Sequence, residues 1–174
     1  MIICLSGLPG GNTANISKLL ALQLGIKYLP KEALLRKIAK SSKKTLQEIE
    51  EEVASEEFVE KLRKLLLSEA KNDHVIIDWP LACWAMNEAE LRVFLYSAPK
   101  QRAEKIIKKE KIPLSDAKRK IDEEEQKLRQ NMLKLLGINI YDVKNFDLAI
   151  NVDKLGMEGV TSVIIRYLKN AKMR

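Results

Sequence analysis

A glycine-rich turn near the start of the chain carries residue types that could bind phosphate. Residues 7–11 read Gly-Leu-Pro-Gly-Gly and lie between an apolar run and an amphipathic segment. Backbone N–H groups of such a turn, together with those at the start of the following helix, point at an anion. The alternative is that these glycines only make a tight turn. The residues predicted to bind phosphate are Gly7, Gly10, Gly11, Asn12 and Thr13.

The side chains that a P-loop uses for nucleotide chemistry are missing from this turn. The pattern G-x-x-x-x-G-K-[ST] supplies a lysine for the outer phosphates and a hydroxyl for magnesium. With Gly7 as its first glycine, the last three positions of the pattern hold Asn12, Thr13 and Ala14. A frame one residue shorter would place Asn12 at the lysine and Thr13 at the hydroxyl. The lysine is absent in both frames, and we predict no metal site here.

The elements that position this turn are predicted by alternating periodicities. Apolar runs of strand length occur at 2–6, 26–30, 74–79, 91–97 and 146–151. Helical spacing occurs at 16–24, in two or three helices between 31 and 70, at about 100–110, at 114–136 and at 160–168. Strands that alternate with helices predict an α/β fold, with about five parallel strands and helices on both faces. In such sheets, ligands bind beyond the carboxyl ends of the strands.

Length, charge and hydropathy limit the class of protein. A chain of 174 residues is long enough for one domain and too short to expect two. No run approaches the roughly 18 apolar residues needed to cross a bilayer, and the first residues lack the basic region of a signal peptide. These features predict a cytoplasmic protein with no membrane partner. The net charge of +7 favours anionic partners such as nucleotides, RNA or acidic proteins. Cys4 and Cys83 lie in apolar segments and predict buried thiols.

Segments along nearly the whole chain resemble the archaeal-type cytidylate kinases, which are P-loop nucleoside monophosphate kinases related to adenylate kinase. The similar segments are IICLSGLPG, SKLLALQLGIKYL, LLRKIAK, VIIDWPLACW, APKQRAEKI and GINIYDVKNFDLAIN. In that family the loop leads without a gap into a helix similar to residues 16–21, which favours the longer frame. Asn12 then replaces a glycine, and asparagine tolerates the left-handed conformation better than most residues.

The resemblance also implies an organisation and a set of site residues. It implies one three-layer P-loop NTPase domain over 1–174, with its core at about 1–30, 71–100 and 138–174. The acceptor nucleotide would contact a helical region at about 31–70, and a lid would cover about 101–137. Arg36 matches an arginine that clamps the phosphate of the acceptor. Asp78, Arg102 and Arg129 match residues of the catalytic set and are its candidate remnants.

Several positions depart from the family pattern. Residues 30–33, Pro-Lys-Glu-Ala, replace the turn that helps to hold the acceptor, and Trp79-Pro80 replaces a Gly-Arg pair. Glu124 and Asn131 stand where other lid arginines would reach the transferred phosphate. Less specific interpretations remain open for the matching residues. Asp78 could cap a helix or pair with a lysine, Arg36 and Arg129 could form surface ion pairs, and the tryptophans could be packing residues.

Three functions are consistent with these residues. The first is a pseudokinase that binds nucleotide weakly or not at all, needs no cofactor and acts through partners. An alternative is an active nucleoside monophosphate kinase that transfers a phosphoryl group from ATP to CMP, dCMP or AMP, with ATP and Mg²⁺ as cofactors. A second alternative is a basic scaffold for RNA or a ribonucleoprotein, and the resemblance implies a monomer or dimer. The basic residues that would contact RNA are Lys40, Lys43, Lys44, Lys105, Lys108, Lys109, Lys111, Lys169, Lys172 and Arg174.

Overall fold

A parallel β-sheet forms the centre of the protein. A computed structural model describes residues 1–53, 55–71 and 73–171, and within this part of the chain the sheet has five strands in the order β2-β3-β1-β4-β5. The strands are β1 (Ile2–Gly7), β2 (Lys27–Leu29), β3 (Val75–Ile77), β4 (Leu91–Tyr96) and β5 (Leu148–Asn151). All neighbouring pairs run parallel. The predicted strands are confirmed, although four of them are shorter than the apolar runs that indicated them.

Helices cover both faces of the sheet. They are α1 (Thr13–Leu24), α2 (Lys31–Ser42), α3 (Leu46–Glu52), α4 (Glu56–Ala70), α5 (Pro80–Ala85), α6 (Pro99–Glu110), α7 (Leu114–Leu136) and α8 (Val152–Ala171), with a 3₁₀ turn at Val143–Asn145. The last helix is bent at Gly156, whose backbone is not helical. The short helix α5 follows β3 directly and was not predicted from the sequence. The predicted fold class, an α/β sheet with helices on both faces, is confirmed.

Alternate residues of β1 separate two cores. Ile2 and Cys4 pack on one face with helices α2, α4 and α5, whereas Ile3 and Leu5 pack on the other face with α1 and α8. This division follows because successive side chains of a strand point to opposite faces of the sheet. Helices α6 and α7 enclose a third, smaller cluster of four buried residues, which lies in the region that the resemblance assigned to a lid.

Local signals set the ends of several helices. The Ser55 hydroxyl accepts a hydrogen bond from the Phe58 N–H and caps the start of α4. Thr45 and Glu48 form a capping box at the start of α3 that the sequence analysis missed. Pro113 lies immediately before α7 and separates it from α6, as predicted.

Two further sequence predictions concern the core and membranes. Cys4 and Cys83 are both buried free thiols, and the Cys83 thiol donates to the carbonyl oxygen of Leu5 at 3.3 Å. Among the helices in the described ranges, none has the length and apolarity to cross a membrane.

Candidate phosphate-binding site

The turn between β1 and α1 adopts a left-handed conformation immediately before the helix. Gly10 has a φ of 77°, and Asn12, the N-cap of α1, has φ 69° and ψ 18°. Helix α1 begins at the next residue, Thr13. Residue 12, and not Gly11, therefore has the conformation that the longer frame gives to its second glycine. Asparagine is among the few non-glycine residues that adopt this conformation at modest cost.

The glycines of the turn allow close backbone approach. A Cβ atom on Gly7 would lie 2.5 Å from the hydroxyl oxygen of Thr13 and 2.9 Å from the carbonyl oxygen of Leu95. A Cβ atom on Gly10 would lie 3.0 Å from the Cβ of Arg102 and 3.1 Å from its carbonyl oxygen. Packing of the turn against α1, β4 and α6 thus requires glycine whether or not an anion binds.

The N-terminus of α1 has no side-chain acceptor in the described structure. The Asn12 side chain accepts a hydrogen bond from the Asn15 amide at 2.6 Å and does not cap the helix. The first turn of α1 is formed by the uncharged residues 13–16. Its N–H groups carry the positive end of the helix dipole, which favours an anion at this position. The backbone therefore fits a phosphate group.

Arg102 is the predicted site residue that lies against the turn. Its Nη1 atom donates to the carbonyl oxygen of Pro9 at 3.1 Å and to the carboxylate of Glu125 at 2.7 Å. Its side chain is only 6% exposed, and its buried Nε atom has no hydrogen-bond partner in the described part of the chain. The charge of Arg102 is thus paired with that of Glu125.

Glu125 receives a second hydrogen bond from a residue that follows α7. The Tyr141 hydroxyl donates to the Glu125 carboxylate. This hydrogen bond, followed by burial, raises the pKa of Tyr141, and the nearby charges of Arg129 and Arg102 oppose the shift. Glu125 therefore joins α6, α7 and the segment after α7 beside the turn.

Arg36 and Arg129 form no hydrogen bond with this cluster among the described residues, although the charge of Arg129 lies near Tyr141. Both side chains are exposed, Arg36 on α2 and Arg129 on α7. Neither forms an ion pair with any residue in 1–53, 55–71 or 73–171. The surface ion pairs considered for them are therefore not observed in that part of the chain.

Asp78 follows β3 at the carboxyl edge of the sheet. It accepts a hydrogen bond from the Tyr28 hydroxyl at 2.5 Å, and its other oxygen, Oδ1, is buried without a hydrogen-bond partner among the residues described. Burial is the largest cause of a pKa above the ordinary range for this carboxyl group, partly offset by the Tyr28 hydrogen bond. Asp78 does not cap α5, and it forms no ion pair with a lysine among the described residues.

The donor set does not fit a magnesium ion of the kind that P-loops hold. Ala14 offers no side-chain oxygen, and Asp78 is held by Tyr28 with a pKa raised chiefly by burial. Within the described ranges, no group of three or more His, Cys, Asp or Glu side chains could hold a metal ion. The turn fits a phosphate through its backbone, whereas the neighbouring side chains do not fit a metal.

Trp79 and Trp84 serve as packing residues. The Trp79 ring is 5% exposed and packs edge-on against Phe58, with 5.9 Å between ring centroids. The Lys31 ammonium lies 5.8 Å from the centre of the same ring. Trp84 packs against Phe146 with 5.2 Å between centroids. The interpretation of both tryptophans as packing residues agrees with these contacts.

A polar network fixes the start of α6, and sequence reasoning missed it. Asp153 accepts hydrogen bonds from the Ser97 hydroxyl at 2.6 Å and from the Ala98 N–H at 2.7 Å. The Lys105 ammonium lies 3.5 Å from the same carboxylate. This network ties α6, which carries Arg102, to the ends of β4 and β5. Asp153 meets Ser97 and Lys105 only because β4 and β5 are neighbours in the sheet, so the periodicity of the sequence could not predict this network.

Solved structures with a similar fold include kinases and an uncharacterized protein. An uncharacterized protein from Eubacterium ventriosum has a TM-score of 0.79 and 17% identity, with 97% of this chain and 98% of that chain covered. Shikimate kinase from Bacteroides thetaiotaomicron has a TM-score of 0.61 and 18% identity, with coverage of 97% and 98%. Deoxyadenosine kinase from M. mycoides, solved with bound dATP, has a TM-score of 0.53 and 15% identity, with coverage of 97% and 100%. These similarities show a P-loop kinase fold.

Sequence relatives are more specific. Cytidylate kinase from Pyrococcus horikoshii is 32% identical over 165 residues, which cover 94% of this chain and 86% of that protein. Cytidylate kinase from Archaeoglobus fulgidus is 26% identical over 178 residues, with coverage of 100% and 98%. The model of the Cytidylate kinase-like family matches residues 2–154. The chain therefore belongs to the cytidylate kinase-like family of nucleotide kinases.

Proposed function

We propose that this member of the family is a pseudokinase, which binds nucleotide phosphates weakly at most and carries out little or no phosphoryl transfer. One observation carries the proposal. Arg102 is the cationic side chain that contacts the phosphate-binding turn, and its guanidinium is engaged by Glu125 and by the carbonyl oxygen of Pro9. In the longer frame, Thr13 stands at the position of the lysine, so that cation is missing as well. Because the charge of Arg102 is paired with Glu125, the turn offers a phosphate its backbone N–H groups and no free positive charge from Arg102.

The size of the expected defect follows from the chemistry of phosphoryl transfer. That reaction depends on positioning and on positive charge around the transferred group, and one arginine finger is worth about 10³ to 10⁵ in rate. Here the loop lysine, the magnesium hydroxyl and two lid arginines are replaced together. The effects of these losses are not additive, but the loss of even one such group removes most of the rate of phosphoryl transfer. Binding is less affected, because the backbone of the turn retains its conformation.

A coupled assay with ATP, CMP and Mg²⁺ tests the proposal. Ordinary kinases turn over at about 1 to 100 s⁻¹, and we expect this chain to fall at least about 10³-fold below that range. The cytidylate kinase from Pyrococcus horikoshii provides the positive control under the same conditions. Turnover within the ordinary range would contradict the proposal.

A thermal-shift measurement separates weak binding from no binding. A ligand that binds only the folded state raises the unfolding midpoint, and the stabilisation grows with the logarithm of its concentration relative to Kd. We expect a small rise with millimolar ATP that is independent of Mg²⁺, because the described side chains do not fit the metal.

An active nucleoside monophosphate kinase is the second candidate. Membership of the family over residues 2–154 favours it. In that case ATP and Mg²⁺ would be required, CMP, dCMP or AMP would be the acceptors, and Asp78, Arg102 and Arg129 would act as catalytic residues. The coupled assay decides between the two candidates.

Contact with RNA or another macromolecular partner stays a prediction, as does the monomeric or dimeric state. Lys108, Lys109 and Lys111 at the end of α6 are exposed and available to an anionic surface. Lys172 and Arg174, which were included in the same prediction, lie outside the described residues. RNA affinity measured at several salt concentrations would test it, because phosphate contacts give a steep salt dependence.

A further inference from the structure

The contact between Glu125 and Arg102 is the strongest unexplained feature near the phosphate-binding turn. The Glu125 carboxylate on α7 accepts a hydrogen bond from the Arg102 guanidinium on α6. The Nη1 atom of Arg102 donates one hydrogen bond to Glu125 and one to the carbonyl oxygen of Pro9. The two side chains are 6% and 16% exposed, so water has little access to either charge. The Tyr141 hydroxyl holds the other oxygen of the carboxylate.

The pair lies directly against the turn. The backbone of Arg102 approaches so closely that a Cβ atom on Gly10 would contact its carbonyl oxygen at 3.1 Å, and the guanidinium reaches the carbonyl oxygen of Pro9. An anion held by the first turn of α1 would therefore be a neighbour of the Arg102–Glu125 pair. Its charge would meet an Arg102 guanidinium that is already neutralised by Glu125.

We propose that Glu125 is a specificity-determining residue that acts as an internal anion, occupying Arg102 and thereby lowering the affinity of the turn for phosphate. This inference rests on the proposed function, since it explains why a cation at the turn does not make the site a strong phosphate site. The ligand class concerned is the di- and triphosphates.

Two physical arguments support the competition. Carboxylate and phosphate oxygens are alternative partners for the same guanidinium geometry, so one anion excludes the other from a given N–H group. Charges in a site with little water interact more strongly than they do in bulk solvent. Removing the negative charge of Glu125 should therefore restore both a donor and a positive field beside the turn.

A purely structural ion pair is the competing explanation, and it predicts the opposite result. If Glu125 only positions Arg102, its loss leaves Arg102 misplaced and phosphate affinity falls or stays the same. If Glu125 competes with phosphate, its loss raises the affinity. The sign of the change distinguishes the two roles even when the protein is destabilised.

Calorimetric titration of inorganic pyrophosphate into Glu125→Gln and wild type, without acceptor and without transfer, tests the inference. We expect Glu125→Gln to bind pyrophosphate about tenfold more tightly than wild type, because one competing charge-assisted hydrogen bond is lost. Asp122→Asn is the matched control, because it removes one negative charge from an exposed residue of the same helix that forms no ion pair with Arg102 or any other residue among those described. We expect it to change the affinity by less than about twofold.

A double variant and a milder variant complete the test. The gain should disappear in Arg102→Gln/Glu125→Gln, since no guanidinium remains to be released. If Glu125→Gln does not fold, Glu125→Asp withdraws the carboxylate by one methylene group and should give a smaller gain, about threefold. An unchanged or lower pyrophosphate affinity in the folded Glu125 variant overturns the inference. Because the readout is a ratio of affinities, wild-type kinase turnover would refute the proposed function without affecting this result.

Discussion

Restoring one positive charge at the start of α1 is the perturbation that best tests the electrostatic reasoning. The Thr13 hydroxyl lies over Gly7, where it would be 2.5 Å from a Cβ atom. The side chain at position 13 therefore begins beside the first glycine of the turn, and we expect a lysine there to reach a phosphate held by the backbone. One charge-assisted hydrogen bond is worth about 1.5 to 3 kcal/mol, so Thr13→Lys should raise ATP affinity about 10- to 100-fold.

The assay is calorimetric titration with ATP at fixed salt concentration. Thr13→Met is the matched control, because methionine has a similar length and no charge, and its ATP affinity should stay close to that of wild type. Asn12→Gly should add little to Thr13→Lys, since Asn12 already has a φ of 69°. Equal ATP affinities for the lysine and methionine variants would refute the view that missing positive charge limits binding.

Phosphoryl transfer should recover far less than binding. The triple variant Asn12→Gly, Thr13→Lys, Ala14→Thr restores the turn but leaves Glu124 and Asn131 in the lid. The missing arginine contribution is worth about 10³ to 10⁵ in rate, so the triple variant should remain at least about 10³-fold slower than an ordinary kinase. Full turnover by this variant in the coupled assay would show that the lid and acceptor changes matter little.

Three predictions concern stability. Asp78→Asn should raise the unfolding midpoint at pH 7 and not at pH 3. The raised pKa of Asp78 gives stability that is complete below its ordinary pKa and is lost as pH rises through the raised value. Equal effects of the substitution at both pH values would contradict this prediction. Asp153→Asn should lower the unfolding midpoint at pH 7 and have less effect at low pH. Burial alone would raise the pKa of Asp153, but hydrogen bonds from Ser97 and the Ala98 N–H lower it. Its stabilisation is therefore present above the ordinary pKa and is lost as pH falls through the lowered value, which thermal unfolding against pH would detect. Phe58→Ala should lower the free energy of unfolding by about 3 to 5 kcal/mol in chemical denaturation, because the ring is fully buried, and a loss below about 1 kcal/mol would show that the site collapses around the missing ring.

Periodicity was sufficient to predict the sheet and most helices. Buried runs such as residues 91–97 become parallel strands because both of their faces are covered, and helix α7 begins after Pro113 because the ring interrupts helix formation before it. Helix α5 was missed because six residues are too few for a periodic pattern. The left-handed conformation of Asn12 was expected from the longer frame together with the tolerance of asparagine for it.

The candidate site was predictable only in part. The turn was predicted from its glycine-rich motif, and Arg102 was predicted as a site residue from the resemblance to the family. The partners Glu125, Tyr141 and Tyr28 could not be found, because each pairs across elements that are distant in sequence and none belongs to a local motif. Glu125 and Tyr28 hold residues that match the family's site, Arg102 and Asp78, so the proposed loss of activity depends on such partners.

Single-turnover transfer tests the central claim most directly. With the protein in large excess over radiolabelled ATP, at concentrations raised until the rate no longer increases, and with saturating CMP and Mg²⁺, the limiting rate reports transfer itself. The account predicts a rate at least about 10³-fold below the 1 to 100 s⁻¹ of ordinary kinases. A rate within that range would contradict the claim that too little positive charge surrounds the turn.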